Sequence, residues 1–152
     1  MPRPDDLVGA WRLESFHDTD ADGRPMTGPL GAEPDGFLLY TDCGHLAVGM
    51  MAAVPGAGSA DYMGYSGRWR IDGGILRHLI LVCSRPDWVG VEQVRVAELA
   101  DDLLTIRTSP DNGRVVRWRR TGPASGAPYS DSRSEEGPMN ISAARERHAI
   151  RR

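Results

Sequence analysis

Short apolar-rich runs alternate along this chain with turn signals at regular intervals. The turns are marked by Asp20-Ala-Asp-Gly23, Asp42-Cys-Gly44, Asp72-Gly-Gly74, Ala100-Asp-Asp102 and Pro110-Asp-Asn-Gly113. Gly reaches positive φ without strain and Asp bonds its own backbone two residues on, so such sequences reverse a chain readily. Between them the pattern predicts strands near residues 10–17, 24–28 (the weakest), 37–41, 45–51, 65–72, 75–83, 91–99, 103–109 and 114–120. Period-two alternation puts Tyr65, Gly67, Trp69 and Ile71 on one face and Ser66, Arg68 and Arg70 on the other. Likewise Gln93, Arg95, Ala97 and Leu99 oppose Val94, Val96 and Glu98.

A meander of eight or nine strands leaves two unpaired edges unless it closes. Closure removes them, and eight strands enclose room for side chains or one small ligand. The expected fold is therefore all-β: a single up-and-down antiparallel barrel over residues 7–121. A sandwich is the other solution, but Greek-key crossovers need longer connections than these turns provide.

Two segments stand outside the meander. Residues 52–64 are small and Gly-rich, suiting either a plain mobile connection or a loop over a barrel mouth. Residues 122–138 have linker composition, and the following MNISAARERHAIRR is expected to be disordered or a short helix capped by Asn140 or Ser142.

The charge divides unevenly: residues 1–121 hold 13 Arg against 17 Asp and Glu, a balance of −4. That balance argues against a nucleic-acid platform. No apolar run is long enough for a membrane helix and MPRPDDLVGA lacks a signal-like apolar region, so the expected location is cytoplasmic and no membrane partner is expected. Cys43 and Cys83 lack CxxC spacing and read as reduced structural thiols. All 18 basic residues are Arg, which excludes lysine Schiff-base chemistry and a GxxxxGK[ST] phosphate loop. His17, His45, His78 and His148 show no metal-ligand spacing, so neither a metal nor a cofactor is expected.

Four segments together carry a family resemblance: Leu7-Val-Gly-Ala-Trp-Arg-Leu13, Tyr40-Thr-Asp-Cys-Gly44, Tyr65-Ser-Gly-Arg-Trp69, and Pro86-Asp-Trp-Val-Gly90 followed by Gln93 and Arg95. In this order and spacing they resemble the bacterial lipocalin-like domain family over residues 7–121. The resemblance implies a calycin-type barrel with a hydrophobic cavity and no single reaction; some similar barrels cyclise or isomerise polyketide-like substrates. Two departures stand out: relatives often carry a longer, partly helical insertion at residues 52–64, and an acidic residue is common where Arg70 stands.

The candidate site follows from these readings. His78, the one histidine interior to a strand, matches a family histidine and can act as acid or base near neutrality; the alternative is a core histidine with its hydrogen bonds satisfied. Gln93 and Arg95 share a face and match family positions. On the interior they would orient a carbonyl, enol or carboxylate and stabilise developing negative charge; on the exterior they would be surface groups paired with Glu98 or a neighbour. Tyr40, Tyr65, Trp69 and Trp88 supply aromatic area for a ligand, each with core packing as its alternative. Trp11 resembles the lipocalin floor tryptophan, with Arg117 or Arg119 as its cover, and Glu14 is a strand carboxylate expected to face solvent.

The expected function is a cofactor-independent cyclase or isomerase acting on a small apolar or polyketide-like molecule, with a non-catalytic carrier as the alternative. Assembly as a homodimer stays open, as does a docking role for the tail.

Overall fold

The computed structural model describes residues 1–109 and 113–121; the expected linker and tail of residues 122–152 lie outside the described residues. Among the described residues nine antiparallel strands follow one another: β1 (Gly9–Thr19), β2 (Pro25–Thr27), β3 (Pro34–Tyr40), β4 (His45–Ala52), β5 (Tyr62–Asp72), β6 (Ile75–Cys83), β7 (Glu92–Ala100), β8 (Leu103–Arg107) and β9 (Val115–Arg120). β1 pairs with both β3 and β9, which closes eight strands into a barrel, while β2 adds to one end of β1 outside the closure. Two short elements were not foreseen: a helical turn α1 (Pro4–Leu7) and a 3-10 turn (Pro86–Trp88).

Alternation decides what fills the barrel. On β5, Gly67, Trp69 and Ile71 are buried and Arg68 and Arg70 exposed; on β6, Leu76, His78 and Ile80 are buried. A β-bulge interrupts the β5–β6 ladder, because Ser66 pairs with Val82 while Gly67 pairs with Ile80, leaving Leu81 unpaired. At Gly67 the β6 backbone comes so close that any Cβ would run into the Leu79 carbonyl oxygen.

One end of the barrel is sealed. Trp11, fully buried, donates its indole N–H to the Leu7 carbonyl at 2.9 Å. Arg120 lies over the Trp11 ring, 4.2 Å from its centroid, and donates to the carbonyls of Asp6 and Val8. The cover is therefore Arg120 and not Arg117 or Arg119. The pairing explains it: Arg120 lies directly opposite Trp11 and shares the inward parity of Trp118, whereas Arg117 and Arg119 have outward parity. Glu14 stands at a bulge between Leu13 and Ser15 and forms an exposed ion pair with Arg119 at 2.9 Å.

The connection between β4 and β5 is tied down. Ala53 N–H donates to Glu33 O, Ala60 N–H to Pro29 O, and Gly56 N–H to the Asp61 carboxylate, each within 3.0 Å. The first two bonds hold the loop against residues 29–33 at the end away from Trp11, and the third ties the loop to itself. No helix among the described residues is long and apolar enough to cross a membrane.

Candidate functional site

Toward the unsealed end the barrel encloses a chamber of about 90 Å³. Its walls differ. β1, β3, β4, β8 and β9 contribute Phe16, Leu38, Val48, Met50, Ile106, Val116 and Trp118, all apolar. The adjacent strands β5, β6 and β7 contribute Tyr65, His78, Gln93 and Arg95 beside Met63, so the polar groups carried by strands gather on one side, while Arg114, just before β9, adds a guanidinium where the chamber meets the vestibule. Outward lies a vestibule of about 440 Å³, which shares Met50, Met63, Tyr65, Trp88 and Arg114 with the chamber and is also lined by Ser59, Ala60, Cys83 and Arg85. The vestibule is within the range of roughly 300–1,000 Å³ usual for small-molecule sites.

His78 is 3 % exposed and both its ring nitrogens are engaged. Nε2 is 2.7 Å from the Tyr40 hydroxyl and Nδ1 is 2.7 Å from the Tyr65 hydroxyl, while Tyr65 donates to Gln93 Oε1 at 3.2 Å. This fixes the direction of the chain. If Tyr65 donates to Gln93, it accepts from His78, which places the ring proton on Nδ1 and leaves Nε2 to accept from Tyr40. Tyr40 O–H, His78 N–H and Tyr65 O–H thus point one way, ending at the Gln93 amide.

The electrostatics keep this chain neutral. Burial, with the positive charge of Arg95 adding to it, lowers the His78 pKa to about 3, so the imidazole carries no charge at neutral pH. Burial also pushes both phenols above their ordinary value, and the neighbouring Tyr65 adds to the effect at Tyr40. Arg95 has its pKa lowered by partial burial and then by Arg114, and remains a cation, since a guanidinium is not deprotonated in proteins.

Of the residues singled out from sequence, Tyr65, His78, Trp88, Gln93 and Arg95 line the chamber together. Gln93 and Arg95 face the interior, the first of the two orientations considered. Tyr40 and Trp69 do not line it. Tyr40 lies on the far side of His78 from Tyr65, and Trp69 packs on Tyr40 with ring centroids 4.6 Å apart, donating its N–H to Thr41 O. Their aromatic area supports the site from behind, because both strands carry these rings toward the sealed end. Trp88 enters from the 3-10 turn, with the Arg85 guanidinium 4.7 Å from its ring centroid. Cys43 and Cys83 are free thiols. Among the described residues no three His, Cys, Asp or Glu side chains gather as metal ligands.

Sequence reasoning passed over Arg114, which lines both chamber and vestibule, pairs with Asp18 at 3.0 Å and lies over Phe16. A signal existed: Arg114 has the parity of Val116 and Trp118, so the inward face of β9 extends back to it.

Solved structures give weak likenesses. A lipocalin-like protein from Bacteroides uniformis is 15% identical, with a TM-score of 0.47 over 76% of this chain and 98% of that one. The lipoprotein YedD from Klebsiella pneumoniae is 10% identical, with a TM-score of 0.42 over 97% of this chain and 89% of its own. No protein of curated function matches. The model of the lipocalin-like domain matches in two overlapping stretches, residues 8–60 and 57–121, which together span the barrel. The chain therefore belongs to the lipocalin-like domain family.

Proposed function

We propose that this barrel binds a small, largely apolar, polyketide-like carbonyl compound and acts on it as a cofactor-independent cyclase or isomerase. One observation carries the reading: Tyr65, His78, Gln93 and Arg95 converge on one side of a chamber whose other walls, apart from Arg114 where it meets the vestibule, are apolar. An apolar substrate folds against Phe16, Leu38, Val48 and Trp118, and its carbonyl oxygen turns toward the donors. As negative charge develops on that oxygen, the Arg95 guanidinium and the Gln93 NH₂ group stabilise it. Gln93 is strengthened for this task, because donation from Tyr40 to His78, from His78 to Tyr65 and from Tyr65 to the Gln93 amide oxygen polarises that amide. Holding a flexible substrate in a reactive shape contributes up to about 7–11 kcal/mol toward a barrier, so few reacting groups are needed.

A specific observation favours a second reading, a carrier that holds its ligand unchanged. Among the described residues no carboxylate lines the chamber or vestibule, and His78 at about 3 is a weak base. Native mass spectrometry after incubation with an extract of the source organism separates the two. A molecule that the wild type converts, and that His78→Ala and Arg95→Ala retain unconverted, supports the enzyme. A molecule retained unchanged by all three supports the carrier.

A further inference from the structure

The lining of the chamber and vestibule contains three arginines and, among the described residues, no acid. Two of the three are neutralised from outside the lining: Arg114 by Asp18 at 3.0 Å and Arg85 by Asp87 at 3.0 Å. Arg95 is not. Among the described residues its guanidinium meets no carboxylate, and its one hydrogen bond to protein runs to the carbonyl of its neighbour Val94 at 2.9 Å. A guanidinium has five N–H donors in a planar fork, so most of this group's donors have no protein acceptor. Gln93 leans the same way. Its amide oxygen is occupied by the Tyr65 hydroxyl, which leaves the NH₂ group, a donor, to meet a ligand.

We propose that the natural ligand is a monoanion, a small apolar molecule bearing one carboxylate or the enolate of a 1,3-dicarbonyl, whose negative charge sits against Arg95. The inference deepens, and rests on, the reading of the chamber as a ligand site. A neutral carbonyl would accept one or two hydrogen bonds and leave the positive charge without a counterion. A cationic ligand would meet the uncompensated charge of Arg95 and, among the described residues, no carboxylate in the lining. An anion alone supplies what the lining lacks, and the fork geometry of Arg95 suits two oxygens of one planar group. Its apolar part then contacts Met50, Met63 and Trp88 toward the vestibule.

The test compares three probes of one carbon skeleton by isothermal titration calorimetry at pH 7.5: naphthalene-2-carboxylate, naphthalene-2-carboxamide and 2-(aminomethyl)naphthalene. The wild type is expected to bind the carboxylate at least roughly tenfold more tightly than the amide, the scale of a hydrogen bond to a charged group, and to bind the amine least. Arg95→Gln is expected to level carboxylate and amide, and Arg95→Lys to keep the preference in weaker form. Equal binding of carboxylate and amide by the wild type would overturn the anion inference while leaving the chamber a ligand site. A preference that survives Arg95→Gln would overturn the role of Arg95. Failure of all three probes to bind would overturn the ligand-site reading and the inference with it. The wild-type comparison stands by itself should a variant fold poorly.

Discussion

Arg120 and Arg95 both turn into this barrel, and their partners differ in kind. Arg120, at the sealed end, lies on the Trp11 ring and donates to two backbone carbonyls of the N-terminal segment, with Asp102 3.4 Å away. Arg95, on the chamber wall, has one carbonyl of its own strand and no carboxylate among the described residues. The contrast separates two uses of a half-buried cation. At the sealed end the protein itself supplies every partner, so the charge joins α1, β1 and β9 into a floor. In the chamber the partner is left to come from outside, which marks a place where stability is given up to recognition.

The sharpest way to break the comparison is to remove the floor. Trp11→Ala deletes a fully buried indole and its hydrogen bond to Leu7 O, and is expected to lower unfolding free energy by about 3–5 kcal/mol. Denaturant unfolding measures it. A loss below about 1 kcal/mol would mean that Arg120 and α1 close this end without the ring.

Next in size is the pH response of the relay behind the chamber. Folded His78 takes up its proton only near pH 3, whereas the unfolded chain takes it up near the ordinary 6.5. Between these values the unfolded state binds more protons, so stability falls as pH drops from 6.5 toward 3, at up to about 1.4 kcal/mol per unit. Above 6.5 this histidine contributes no slope. His17, whose pKa is also lowered by burial and by Arg117, adds in the same direction. The difference in slope between wild type and His78→Gln, followed by unfolding from pH 6.5 to 5, isolates the relay; identical slopes would show that His78 titrates alike in both states.

Within the relay the two tyrosines should not be equivalent. Tyr40→Phe strips the donor from a buried His78 nitrogen that no solvent reaches, and an unpaired buried acceptor costs about 1–3 kcal/mol. Tyr65→Phe is expected to cost less, because Tyr65 lines the chamber and water can take its place. The reverse order in thermal unfolding would reverse the direction assigned to the hydrogen-bond chain.

These residues also show what could be read in advance. Period-two alternation was enough to put Tyr65 with Trp69 and Gln93 with Arg95, because one face of every barrel strand must be buried. The turn residues located the hairpins for the same local reason. Alternation does not tell how far along the barrel a side chain sits, and so Tyr40 and Trp69 were grouped with the ligand wall although they pack behind it. Pairing across the closure was also hidden. From Phe16 opposite Val116, an unbroken ladder would put Thr121 opposite Trp11; the bulge between Leu13 and Ser15 shifts the partner to Arg120. The contact of His78 with Tyr40 joins residues 38 apart in sequence, and no local pattern encodes it. α1 had a legible start, Pro4 followed by Asp5 and Asp6, but four residues are too few for helical periodicity to register.

The smallest effect expected is the most informative about Arg95. If this guanidinium served the fold, as Arg120 does, its replacement would cost stability. It has one hydrogen bond to lose, to Val94 O, and its partial burial beside Arg114 already lowers its pKa, so the folded state disfavours the charge. Arg95→Gln removes that charge and keeps a polar side chain on the chamber wall. Unfolding free energy at pH 7 is therefore expected to stay level or to rise by up to about 1 kcal/mol, since relief of an uncompensated charge offsets the lost contacts. The same substitution should abolish the preference for an anionic probe. A variant less stable by more than about 1 kcal/mol would mean that Arg95 already has the partner it needs within the protein, and the two arginines would then differ only in position.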